Sequence, residues 1–99
     1  MWLQVQEMVQ QTVSELGNID VLVNNAAVNP GPDRVRVVDL DETIWSNVLH
    51  TNLTGTFLCS KYVAREMIVQ GRGGKIVNMS SVHGRRGDIQ RAAYCSSKF

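Results

Sequence analysis

Two short apolar runs, each closed by polar residues, constrain this chain more than any other feature. Ile19, Val21, Leu22 and Val23 run into the asparagines of "IDVLVNNAAV", and Ile76 and Val77 are the apolar centre of "KIVNMSS". A short β-rich run without polar alternation is the pattern of a strand buried on both faces of a parallel sheet. Between the runs, Trp45, Val48, Leu49, Leu53, Phe57, Val63, Met67 and Ile68 follow a helical spacing. That spacing predicts one helix or two collinear helices reaching about Gln70, opened by a capping box at Asp39 and Glu42 with aspartate in serine's usual place. "GRGGK" breaks it. Leu3, Val5, Met8, Val9, Val13 and Leu16 predict a helix over residues 1–16, with Gly17 as its C-cap.

The remaining stretches are loops and one more helix. Residues 24–39 hold both prolines and Gly31 and predict a loop, residues 82–91 predict a polar loop, and the small residues of "AAYCSSK" begin a helix. The order is helix, strand, helix, strand, helix, with about fifty residues between strand starts. This order predicts a right-handed crossover in an α/β fold, part of a doubly wound parallel sheet with two strands and about three helical segments. Two strands cannot close both edges or cover both faces of such a sheet, so some apolar strand residues are expected to stay exposed and the domain to be partial. Both polar loops leave the carboxyl ends of strands, where doubly wound sheets place their ligands.

Composition narrows the function classes. The 99 residues fit at most one small domain, and 43% hydrophobic with 19% charged residues is ordinary for a globular chain. A formal charge of +1 offers no basis for a nucleic-acid or acidic-membrane partner, and Arg85, Arg86 and Arg91 are too few for a basic patch. Cys59 and Cys95 lack metal-ligand spacing, so no metal site is expected, and their low density fits a reducing, cytoplasmic setting. No basic leader precedes an apolar run, and no window approaches the roughly eighteen consecutive apolar residues of a membrane span. "GRGGKI" lacks both the first glycine and the hydroxyl residue of a phosphate loop, and reads as a turn.

Chemistry concentrates at the end of the chain. Tyr94 and Lys98 stand four apart, hence on one face if "AAYCSSK" is helical, and an ammonium beside a phenol favours phenolate. Read in order, "LVNNAAV", "TNLTG", "KIVNMSS" and "YCSSK" resemble the short-chain dehydrogenase/reductase family in four separate motifs at its order and spacing, over essentially the whole chain. The resemblance implies that residues 1–99 are the central part of a Rossmann-like NAD(P)-binding domain whose N- and C-terminal parts are missing. In that family a serine thirteen residues ahead of the tyrosine completes the site, and this serine is Ser81.

The resemblance further implies an oxidoreductase that moves a hydride between NAD or NADP and a carbonyl or alcohol substrate. Tyr94 would donate or accept the proton and also touch the cofactor, and Lys98 would lower the phenol's pKa and bond the nicotinamide ribose. Ser81 would orient and polarise the substrate oxygen, and Asn52 would hold a water linking Lys98 to solvent. Asn24 would brace the sheet, while Asn25 and Ala26 would line the adenosine ribose. Ala27 stands where the family more often has glycine. A small-molecule substrate and a homo-oligomeric full-length form, tetramer or dimer, are implied as well. The substrate is expected to be similar to 3-oxoacyl thioesters or to sugars and polyols.

Each residue also has an ordinary structural reading. Asn24 and Asn25 could cap a strand end, Asn52 could kink a helix, and Ser80 and Ser81 could satisfy loop backbone groups. In register with Tyr94 and Lys98, the chemical reading outweighs these. His50 and His83 show no partner pattern and read as a helix-face and a loop histidine; Cys59 is expected on the buried face of the long helix. No G-x-G-x-x-G turn occurs, so no pyrophosphate seat is present in these residues. Two function classes remain: part of a longer dehydrogenase, inactive by itself, or a degenerate binding or assembly piece that pairs with a related subunit through open sheet edges.

Overall fold

The computed structural model describes residues 1–29 and 31–99, so the loop expected at Pro30 lies outside the described residues. The chain divides into two compact units, one of Met1–Asn24 with Thr56–Asn78 and one of Asn25–Gly55 with Met79–Phe99. The elements in order are α1 (Trp2–Leu16), β1 (Val21–Asn24), α2 (Glu42–Leu49), a π-helical turn (His50–Thr54), α3 (Gly55–Gln70), β2 (Lys75–Asn78) and α4 (Ala92–Lys98). Short 3-10 turns lie at Gly31–Asp33, Val37–Asp39 and Val82–Gly84.

In the first unit, α1 ends as its sequence dictates. Gly17 takes φ 90, a conformation that only glycine adopts without strain, and its N–H closes the last turn on Val13 O at 3.0 Å. The chain then enters β1, which pairs in parallel with β2 in the register Val21↔Lys75, Leu22↔Ile76, Val23↔Val77 and Asn24↔Asn78. Val9, Val63 and Met67 form the buried core, with Ile19, Leu22 and Tyr62 packed against it. These residues come from α1, α3, β1 and the approach to it, so the predicted helices bury one stripe on one another and on the sheet.

The strands stay partly exposed, as expected where two strands cannot cover both faces of a sheet. Val21 and Val23 are 56% and 53% exposed, and Ile76 and Val77 are 41% and 45% exposed. The apolar runs thus form the predicted parallel pair, while the described residues supply cover for only part of it.

The second unit is built around α2, the π turn and α4. The capping box expected at Asp39 and Glu42 is not formed. Asp41 caps α2, its Oδ1 accepting from Thr43 N at 2.7 Å and Ile44 N at 3.4 Å. Asp39 instead closes a 3-10 turn and pairs with Arg36 at 2.8 Å. A cap oxygen bonds the backbone two or three residues ahead, and the helix starts two residues later than a cap at Asp39 requires. The long predicted helix reaches Gln70 as expected, with its middle wound as a π turn. Asp33 is fully buried, and neither of its carboxylate oxygens has a hydrogen-bond partner among the described residues.

Candidate active site

Asn52, Ser81, Tyr94 and Lys98 all belong to the second unit. Asn52 sits in the π turn and is 6% exposed. A π turn carries one extra residue per turn, which re-aims a side chain that a regular helix would point elsewhere. Asn52 Oδ1 accepts from Val28 N at 2.7 Å, and its Nδ2 donates to Val28 O and to Ser97 Oγ, each at 3.0 Å. One amide therefore ties the loop after β1 to α4. Ser97 is buried and donates in turn to Tyr94 O at 2.8 Å.

Tyr94 and Lys98 lie on α4, both half-buried, while Ala93, Cys95 and Ser97 are buried against the rest of the unit. The Lys98 ammonium lies 5.9 Å from the Tyr94 ring centroid and donates to Met79 O at 3.1 Å. Arg91, 8% exposed, sets its guanidinium 4.6 Å from the same ring and donates to Asn29 Oδ1. Two cations therefore attend the one phenol ring, within the range of cation–π attraction. Tyr94 and Lys98 share a face, as their spacing predicts; from the sequence Arg91 counts only as one of three arginines too few for a basic patch.

Ser81 follows β2 in extended backbone and caps the 3-10 turn Val82–Gly84, its Oγ accepting from His83 N at 3.2 Å. The turn lies close against α4. A Cβ on Gly84 would come 2.5 Å from Lys98 O and closer still to Ser80 Oγ, which itself donates to Lys98 O at 3.0 Å. Only a glycine allows that approach.

His83, read from sequence as a loop histidine without partners, has three. Its Nδ1 lies 3.4 Å from Ser81 Oγ, its Nε2 lies 3.2 Å from Asp88 Oδ2, and its ring meets that of Tyr94 edge-on at 5.6 Å. The His83 hydrogen bond, followed by the Ile89 N–H, holds the Asp88 carboxyl below the usual carboxylate range. Sequence spacing could not reveal this cluster, because a polar loop has no period that places one side chain beside another.

Of the residues expected to meet the cofactor, Asn25 and Ala26 are exposed in the loop after β1. Asn24, at the end of β1, donates through Nδ2 to Asn78 Oδ1 at 2.8 Å and to Ser60 Oγ at 3.1 Å, joining the two strand ends and α3 within the first unit. The Lys98 ammonium suits a ribose diol as a hydrogen-bond partner. Lys98 has three N–H donors and spends one on Met79 O, which leaves two for a ribose diol. Cys59 is half-buried on α3, and burial pushes its thiol up.

These features agree with what the chain is similar to. The family model described as "short chain dehydrogenase" matches residues 2–99. The chain belongs to the short-chain dehydrogenase family, whose fold is the doubly wound α/β sheet of which β1 and β2 are two neighbouring strands. It is 37% identical over 91 residues to a 2-dehydro-3-deoxy-D-gluconate 5-dehydrogenase of Dickeya dadantii, covering 92% of this chain and 35% of that protein. It is 38% identical over 95 residues to a 3-oxoacyl acyl-carrier-protein reductase of Staphylococcus epidermidis, covering 96% of this chain and 37% of that protein. The crystal structure of a gluconate 5-dehydrogenase from Burkholderia cenocepacia, in complex with NADP and tartrate, superposes with a TM-score of 0.89 at 32% identity, over 99% of this chain and 37% of that one. The chain thus spans little more than a third of the length of these relatives.

Proposed function

We propose that this chain is the catalytic central segment of a nicotinamide-dependent oxidoreductase that interconverts a carbonyl and an alcohol, with Tyr94, Lys98, Ser81 and Asn52 as its working residues. One observation carries the reading: the tyrosine and lysine share a face of α4, and the turn that presents Ser81 lies close against that helix. NAD or NADP, when bound, supplies or takes the hydride. Everything else falls to the protein. Negative charge develops on the substrate oxygen during reduction, so the site must hold that oxygen and deliver a proton to it. Tyr94 would donate the proton in reduction and accept it in oxidation. Lys98 would keep positive charge beside the phenol and bond the nicotinamide ribose, and Ser81 would hold and polarise the substrate oxygen. Asn52 would hold a water that links Lys98 to solvent. Asn24 would brace the sheet, and Asn25 and Ala26 would line the adenosine ribose.

The substrate would be a small carbonyl or alcohol. Similarity to a sugar-acid dehydrogenase and to a 3-oxoacyl reductase makes oxo sugar acids, polyols and 3-oxoacyl thioesters the compounds to assay first. The remaining strands and the pyrophosphate-binding turn would come from chain beyond these residues, since this sequence holds no glycine-rich turn of that type. Homo-oligomerisation and a cytoplasmic site of action complete the proposal; no helix among the described residues is long and apolar enough to cross a membrane. The test is Tyr94→Phe in the complete protein. It removes the proton donor and keeps the ring, so kcat is expected to fall by roughly a hundredfold or more. Wild-type turnover by that variant would refute the assignment.

A further inference from the structure

We propose that His83 and Asp88 are positioning residues that set which way the Ser81 hydroxyl points, so that the protonation state of His83 decides how well Ser81 polarises the substrate oxygen. The inference rests on Ser81 holding that oxygen, as proposed above. It follows from counting donors. A carboxylate only accepts, so Asp88 Oδ2 at 3.2 Å requires a proton on His83 Nε2. In neutral His83 the other nitrogen, Nδ1, then carries a lone pair and can only accept, and the hydroxyl 3.4 Å away must donate to it. Ser81 has a single proton, and in that state the imidazole competes for it with the substrate.

Protonation of His83 reverses the bond. Nδ1–H now donates to Ser81 Oγ, whose other lone pair already accepts from His83 N at 3.2 Å. With both lone pairs taken by one residue, the Ser81 proton is released from the loop and free for a substrate oxygen. Reduction, which needs a polarised carbonyl, gains from the protonated state.

The charged and titratable groups around the ring agree with such a role. Asp88 touches it directly, and its carboxyl is held below the usual range, so it stays anionic while the imidazole changes state. From α4, the Tyr94 ring meets His83 edge-on at 5.6 Å, and Arg91 and Lys98 lie at 4.6 and 5.9 Å from the centroid of that same phenol. The two cations oppose a further charge on His83, and the carboxylate in direct contact favours it. The His83 side chain is 20% exposed, which leaves it open to proton exchange with solvent.

Two measurements on the complete protein test this. The first is the pH profile of kcat/KM for carbonyl reduction in wild type, His83→Gln, Asp88→Asn and Tyr94→Phe. Wild type should gain about threefold to tenfold as pH falls through the imidazole range, which is what one added hydrogen bond is worth. His83→Gln should lose that limb, and Asp88→Asn should move it to lower pH without abolishing it. A purely structural role would lower all rates and leave the profile's shape alone. If His83→Gln retains the wild-type profile while Tyr94→Phe is inactive, this inference falls and the functional reading stands; an active Tyr94→Phe sinks both. The second measurement is free of turnover: nitrogen NMR of neutral His83 should show the Nε2–H tautomer, and the Nδ1–H tautomer would overturn the proposal.

Discussion

Lys98 concentrates three roles in one residue. Its Nζ donates to Met79 O, its charge stands near the Tyr94 ring, and its own carbonyl accepts from Ser80. On the role proposed for it, replacing it with alanine should cut kcat of the complete protein by at least a hundredfold, since the positive charge beside the phenol disappears. Lys98→Arg should recover little, because a planar fork cannot replace a compact ammonium whose donors rotate freely. Steady-state rates of the two variants check both statements. Asp88 gives a second prediction at this scale. Its carboxyl is lowered in the folded state, so it contributes stability above the unfolded carboxylate pKa and loses that contribution as pH falls through the lower folded value. The melting-temperature gap between wild type and Asp88→Asn should accordingly be widest at neutral pH and close in acid.

At the scale of elements, α2 and the turn Val82–Gly84 make the sharpest predictions. Asp41 accepts from two backbone N–H groups at the start of α2, and Asp39 does not cap it. Asp41→Ala should therefore destabilise the protein by about 0.5 to 2 kcal/mol, and Asp39→Ala, which breaks only an exposed ion pair, by no more than about 1 kcal/mol. Denaturant melts of the two variants decide the comparison. Gly84→Ala places a methyl group against Lys98 O and the Ser80 side chain. The turn and α4 must then separate, which costs about 1 to 3 kcal/mol and moves Ser81 away from Lys98. Activity should fall further than stability alone explains, a split that kcat measured well below the melting temperature would reveal.

For the molecule as a whole, the exposure of Val21, Val23, Ile76 and Val77 is the governing fact. A parallel pair with both faces apolar needs covering layers. Consistent with the proposal that further chain supplies them, the isolated 99 residues should bind a hydrophobic dye such as ANS strongly, and the complete protein should not. Equal dye binding by both would argue against that reading. The relatives are each nearly three times the length of the matched region, which supplies enough residues for the cover.

Hydrophobic period and chain order determined the elements: α1 with its Gly17 stop, the two strands and their parallel pairing, and the long helix to Gln70. These follow from short-range sterics and from which residues must leave water, and both are written locally. The shared face of Tyr94 and Lys98 was legible too, because a spacing of four is fixed by helix geometry, whereas Asn52 and Ser81 entered only through the family resemblance. Tertiary structure decided the rest. It chose Asp41 over Asp39 as the cap, wound Asn52 into a π turn, drew Arg91 onto the Tyr94 ring and gave His83 its bonds to Ser81 and Asp88. Those outcomes depend on where a loop passes another element to within an ångström. No spacing along a polar stretch carries that distance, because hydrogen bonds between loop side chains form only after packing has set it.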